Sequence, residues 1–301
     1  MLVVLVMLVP MAVLAGFFVM MVMVFVYHGS VHFPGAKVRR PACNRVAKRG
    51  PPLWISRGKC ITCRINKLKS MRKTFLWCIP CAFFLLAVTL NLIGCVRGTE
   101  LAALVKPALM PLLSVTTLAY LVGRHGKDGK AIALLMAAQL FGCVGDVLLI
   151  PDGFLYFVGG IAAFLAGHLF YIGLMGRKSW KDMKVWQWPV AIAVMAGVVT
   201  GLVKAIGIQG ELFWPMLMYG FVLMLLIFSA LAGVFRLSPD RATTWWILLL
   251  GTLLFTFSDA CIAMGTFGVM TFPLRHFLVM STYLAAQSLL AVGGARLVLR
   301  K

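Results

Sequence analysis

Hydrophobic residues in this chain come in long unbroken runs rather than in alternation. Eight runs near residues 75–95, 101–122, 131–150, 154–176, 188–207, 212–235, 244–265 and 275–297 match the roughly 20 residues that a helix needs to cross a hydrocarbon core of about 30 Å. A barrel strand alternates lipid-facing and lumen-facing residues, and these runs do not. Backbone amides in a bilayer must find partners within the protein, so the runs predict an all-α, polytopic transmembrane bundle of eight core helices.

A ninth apolar run, residues 1–27, precedes the eight. It has no charge before it and a basic block after it, and lacks the basic start and small-residue cleavage site of a secretory signal. Two readings stay open: an extra N-terminal helix, or a translation start placed upstream of a true start at Met71-Arg72-Lys73-Thr74. Residues 28–70 are basic, rich in Pro and Gly, and without helical period. They are expected to stay unfolded or to lie on anionic lipid. The chain thus divides into 1–27, 28–70 and an eight-helix domain over 71–301.

Charge refines this picture. The chain has 301 residues, 62% hydrophobic and 12% charged, with a formal charge of +21. In a soluble protein that balance would suggest a nucleic-acid partner, but here its position decides. Residues 28–74 hold 13 Lys and Arg with no Asp or Glu, and most other basic residues fall in alternate gaps between runs. Arg124, Lys127 and Lys130 fill one such gap, Arg177, Lys178, Lys181 and Lys184 a second, Arg236 and Arg241 a third, and Arg300 with Lys301 the tail. The remaining gaps are neutral or weakly charged. Basic loops stay in the cytoplasm, so both ends of the eight-helix unit are expected there, with the bilayer rather than a nucleic acid as partner. A bacterial inner membrane is the expected setting.

Eight cysteines include CxxC pairs at Cys60–Cys63 and Cys78–Cys81. The second pair lies in an apolar run, away from the first. No metal is expected, and the thiols read as small hydrophobes.

Ionisable groups inside spans are costly and mark candidate sites. Here they are Lys106, Asp146, His168 and Asp259, with His276 and Lys204 nearer span ends. At about 1.5 Å per residue, Asp146 and Asp259 each lie about 22 Å from the basic end, and Lys106 about 8 Å below the neutral end. Those depths coincide, which predicts a polar pocket in the neutral half joining the three charges. Tyr219 and Tyr283 fall about 10 to 12 Å below the neutral face, and Gln287 and His168 about 18 to 21 Å. His168 is therefore expected on the pocket floor rather than beside Asp146. Gln139, Gly142 and Asp146 share one helix face, as do Phe164, His168 and Tyr171. Gly159, Ala163 and Gly167 form a small-residue stripe that would admit a close neighbour. GDVLLI from Gly145 is faintly echoed by SDACIA from Ser258, as two parallel four-helix halves would produce.

Several segments occur in a recognisable order: LVKPALMPLL, LFGCVGDVLLIPDGFLYFVGGIAAFLAGHLFYI, FWPMLMYGFVLMLLIFSAL, LLFTFSDACIAMGTF and TYLAAQSLLAVG. Over about residues 75–297 the sequence resembles the YhhN-like, or lysoplasmalogenase, family of eight-pass membrane proteins. The resemblance implies hydrolysis of the vinyl ether bond of a lysophospholipid, giving a fatty aldehyde and a glycerophospho-alcohol, without a cofactor. The family's polar signature matches at Lys106, Asp146, His168, Tyr171, Asp259, Tyr283 and Gln287.

Such hydrolysis needs a proton for the β-carbon, stabilisation of an oxocarbenium ion, and a water. Two carboxyls in different surroundings can divide that work. Asp146 and Asp259 are the expected pair, either one being the acid, with His168 as base, water ligand or structural hydrogen-bonder. Lys106 either keeps one carboxyl ionised or grips the phosphate. Tyr171, Tyr219, Tyr283 and Gln287 are expected to line the substrate site and orient these groups. On chemistry alone a transporter or binding protein for protons or a small solute would use the same cluster.

Overall fold

The computed structural model describes residues 77–181, 183–185, 187–208, 210–235, 239–266 and 274–299. The expectations for residues 1–27 and 28–70, the Cys60–Cys63 pair, and the basic residues Arg236, Arg300 and Lys301 lie outside the described residues.

Eight helices follow one another: α1 (Cys78–Arg97), α2 (Leu101–Gly123), α3 (Gly129–Leu148), α4 (Phe154–Ser179), α5 (Gln187–Ile206), α6 (Phe213–Phe235), α7 (Pro239–Thr266) and α8 (Arg275–Leu299), with a 3-10 turn Gly210–Leu212 before α6. Each is long and apolar enough to cross a bilayer. This is the all-α, multi-pass membrane bundle expected from the apolar runs, and its helix limits stay within about five residues of the expected ones.

Helix α8 is the centre. It packs along α7 and also touches α1, α2, α3 and α4. In its most apolar stretch 72% of residues are buried within the protein, against 17% for α5. Helix α5 lies at the periphery, packed mainly on α6. The lipid-facing surface is equally apolar, with Phe83, Leu104, Leu155 and Trp246 all exposed, because hydrocarbon does not penalise such side chains.

Helix α4 packs closely on α3 through the small-residue stripe. A Cβ at Gly167 would stand 3.1 Å from the Ala138 carbonyl, so the expected close neighbour is α3. Helix α2 carries Pro107 and Pro111, which have no N–H for the carbonyls four residues earlier. Its first turn is also tied to α1, where Asn91 Nδ2 donates to the Ala102 carbonyl at 2.8 Å.

The basic loops meet at one end. Asp128 caps α3 by accepting from the Ala131 amide at 3.0 Å, and Arg177 at the end of α4 stands 3.5 Å from the same carboxylate. Lys178 donates to the Leu297 carbonyl of α8. The Ala131 amide, with Arg177 behind it, holds the Asp128 carboxyl below its ordinary range. A carboxyl whose pKa is depressed by folding stabilises the fold above its unfolded value and loses that contribution as pH falls through the folded one. Asp128→Ala should therefore lower stability by about 1 kcal/mol in detergent melts at neutral pH. The gap between variant and wild type should close as the pH is taken well below 4.

Candidate functional site

Two carboxyl pairs occupy the half of the bundle opposite the basic loops. In the first, Asp146 near the end of α3 is buried and both its oxygens are engaged. Lys106 Nζ of α2 lies 3.9 Å from Oδ1, and the Tyr283 hydroxyl of α8 donates to Oδ2 at 2.8 Å. The Lys106 side chain keeps 17% exposure, so its stem reaches inward while its start lies near the surface.

In the second pair, the Tyr219 hydroxyl of α6 donates to Asp259 Oδ2 of α7 at 2.6 Å. Asp259 remains partly uncovered because it faces a cavity of about 140 Å³. The walls come from α4, α5, α6 and α7 and include Phe164, Val199, Leu223 and Ala263. Among the described residues Asp259 is the one ionisable carboxyl on that wall, and Tyr219 and Thr256 supply its other polar side chains.

Aromatic rings connect the pairs. Phe164, which lines the cavity, stands edge-on to Tyr283 with centroids 5.9 Å apart. Phe255 lies 5.5 Å from Tyr283 and 4.5 Å from His168, and His168 lies 5.7 Å from Tyr219. Through these rings the Asp146 and Asp259 groups are neighbours. Gly145 sets the position of the Phe164 ring: a Cβ there would stand 2.8 Å from two of its carbons.

Of the residues expected at the site, the structure brings Lys106, Asp146 and Tyr283 into direct contact, and Tyr219 with Asp259. Asp259 has its own phenol rather than a place in the Lys106 ion pair, so the three charges form two neighbouring groups and not one cluster. Tyr171 and Gln287 sit one level deeper, joined by a 3.1 Å hydrogen bond, and Gln139 donates to Thr117 Oγ1 at 3.3 Å. His168 is buried among rings, and its Nδ1 has no hydrogen-bond partner. Among the described residues no three His, Cys, Asp or Glu side chains gather to hold a metal ion, and Cys81 is a buried free thiol. Phe255 and Thr256 fall within the LLFTFSDACIAMGTF segment but carry no charge, and the α5 wall of Val199, Leu202 and Val203 has neither charge nor motif to single it out in the sequence.

The echo between GDVLLI and SDACIA extends further in three dimensions. The spacing that separates Asp146 from Asp259 also separates Lys106 from Tyr219. In each half, then, an aspartate on the third helix takes its partner from the second helix, an ammonium in one case and a phenol in the other.

Comparison with known proteins bears on α2 to α8. The sequence profile of the YhhN family matches residues 101–294. Lysoplasmalogenase TMEM86B of Mus musculus is 29% identical over 196 residues, 65% of this chain and 76% of the relative. The Homo sapiens TMEM86B is 30% identical over 189 residues, 63% and 75% of the two chains. Human lysoplasmalogenase TMEM86A is 31% identical over 169 residues, 52% and 63%. No solved structure matches the chain.

Proposed function

From the premise that the chain belongs to the YhhN family, we propose that it is a membrane hydrolase of lysoplasmalogenase type, cleaving the vinyl ether bond of a single-chain phospholipid. The observation that carries this reading is the placing of Asp259, hydrogen-bonded to Tyr219, on the wall of an otherwise apolar cavity. A carboxyl there meets the double bond of a chain in the cavity while the ether oxygen stays toward the polar end.

The geometry divides the acid and base roles. An ionised carboxylate without a counter-ion is costly away from water, and among the described residues no ion pair is formed by Asp259, so we assign the proton to it. Asp146 has the Lys106 ammonium and a phenol donor, so the negative charge belongs to it. Lys106 thus keeps Asp146 ionised rather than gripping the phosphate.

Asp259 gives its proton to the β-carbon, the π electrons forming the new C–H bond, and the α-carbon becomes part of an oxocarbenium ion. Charge on Asp146 stabilises that ion across the ring wall. Water adds to the α-carbon, losing its proton to the Asp259 carboxylate, and His168 packs against Tyr219 and Phe255, holding the rings beside that carboxyl. The hemiacetal then collapses to aldehyde and glycerophospho-alcohol. Tyr219, Tyr283, Tyr171 and Gln287 position these groups.

The basic loops support a cytoplasmic side for the Asp128 end and both core termini. In a bacterial inner membrane the cavity then lies in the outer half of the bilayer. The direct test is aldehyde release by purified protein from a 1-alkenyl lysophospholipid. The 1-alkyl ether analogue, which lacks the double bond, should give none, and absence of aldehyde from the alkenyl lipid with folded protein would overturn the reading.

A further inference from the structure

Beside the mouth of the Asp259 cavity the turn between α5 and α6 forms a second, open pocket lined by Lys204, Gly207, Ile208, Gly210, Phe213 and Trp214. Ile208 is a wall of both spaces. Lys204 lies in the last turn of α5, exposed and with no ion-pair partner among the described residues. Trp214 is 68% exposed at the start of α6, at the level where amphipathic rings meet lipid headgroups. Leu202, two residues further in along α5, lines the apolar cavity and is yet 51% exposed toward lipid. The cavity therefore also opens sideways to the bilayer.

Taken together, the two spaces have the layout of a single-chain phospholipid. Resting on the hydrolase reading above, we infer that the α5–α6 turn is the headgroup site of this protein, with Lys204 holding the substrate phosphate and Trp214 covering it, while the chain passes Ile208 into the cavity. The spacing agrees. Tyr219 lies six residues beyond Phe213 on α6, about 9 Å further into the bundle. Five covalent bonds separate the phosphorus of a lysophospholipid from its sn-1 ether oxygen, about 6 Å when extended at roughly 1.2 Å per bond. The flexible lysine stem spans the remainder. A phosphate at Lys204 thus sets the ether bond level with Tyr219 and Asp259.

Binding of a ligand that cannot be cleaved tests the site apart from the reaction. Purified full-length protein in detergent is titrated calorimetrically with 1-O-alkyl-glycerophosphoethanolamine, with 1-O-alkylglycerol, and with chain-free glycerophosphoethanolamine or inorganic phosphate as competitors. Lys204→Gln should weaken the alkyl phospholipid about tenfold, the worth of one hydrogen-bonded charge, and leave alkylglycerol unchanged. Lys204→Arg should keep most of the affinity. Unchanged phospholipid binding in Lys204→Gln, or an equal loss for both ligands, would overturn the assignment. So would competition by glycerophosphoethanolamine or phosphate as strong as by the lipid, since the chain cavity would then contribute nothing. A protein that shows the expected pattern yet releases no aldehyde from the alkenyl lipid keeps its headgroup site and loses the hydrolase reading.

Discussion

Replacing Asp259 by Asn should lower aldehyde release by about 10² to 10⁴, the usual contribution of a positioned general acid. The amide retains the shape of the side chain and can still accept from the Tyr219 hydroxyl, now 2.6 Å from the carboxylate, so the bundle should fold and melt near wild type. Its N–H₂ cannot protonate carbon. The loss should fall on kcat with little change in KM, because the chain cavity and the headgroup turn are untouched. Tyr219→Phe should cost less, about tenfold, since it removes one hydrogen bond that positions the acid. A folded Asp259→Asn protein that hydrolyses at the wild-type rate would remove Asp259 from the chemistry.

The second large effect concerns the Lys106–Asp146 pair, and there stability and activity should separate. Lys106→Met leaves the Asp146 charge buried beside Tyr283 without its ammonium. Removing one partner of a buried ion pair costs about 3 kcal/mol or more. Lys106→Met with Asp146→Asn removes both charges, and most of that stability should return. Activity should not, because no carboxylate then stabilises the oxocarbenium ion; about a 10²-fold deficit should remain in Asp146→Asn and in the double variant alike. Melting temperature and turnover on the four proteins of this cycle decide it. Stabilities that simply add would mean that the 3.9 Å contact carries no coupling.

The sequence makes some of this site legible and hides the rest for definite reasons. Apolar run length and alternating loop charge mark all eight helices. Depth arithmetic brings Asp146, Asp259 and Lys106 to one level with Tyr219 and Tyr283 a little deeper, and of these the structure joins Asp146 directly to Lys106 and Tyr283. Depth carries no information about direction around a helix axis or about which helices are neighbours. Asp259 and Tyr219 therefore share a level with the ion pair but belong to a separate group. The cavity is hidden for a related reason. In hydrocarbon the lipid face and the core face of α5 are both apolar, so no polar stripe on α5 reveals that Val199 and Val203 face inward while Val198 faces lipid. His168 shows the limit most clearly: an intramembrane imidazole suggests hydrogen bonding, yet its ring lies against Phe255 and Tyr219 with Nδ1 unpaired.

Carbon protonation by Asp259 leaves a permanent isotopic trace. Turnover of the 1-alkenyl lysophospholipid in deuterium oxide, with the aldehyde trapped by reduction as it forms, should yield an alcohol carrying one deuterium on the carbon next to the former carbonyl. Product with no deuterium at that carbon, from protein that is folded and turning over, would contradict proton delivery to the β-carbon and the role assigned to the cavity carboxyl.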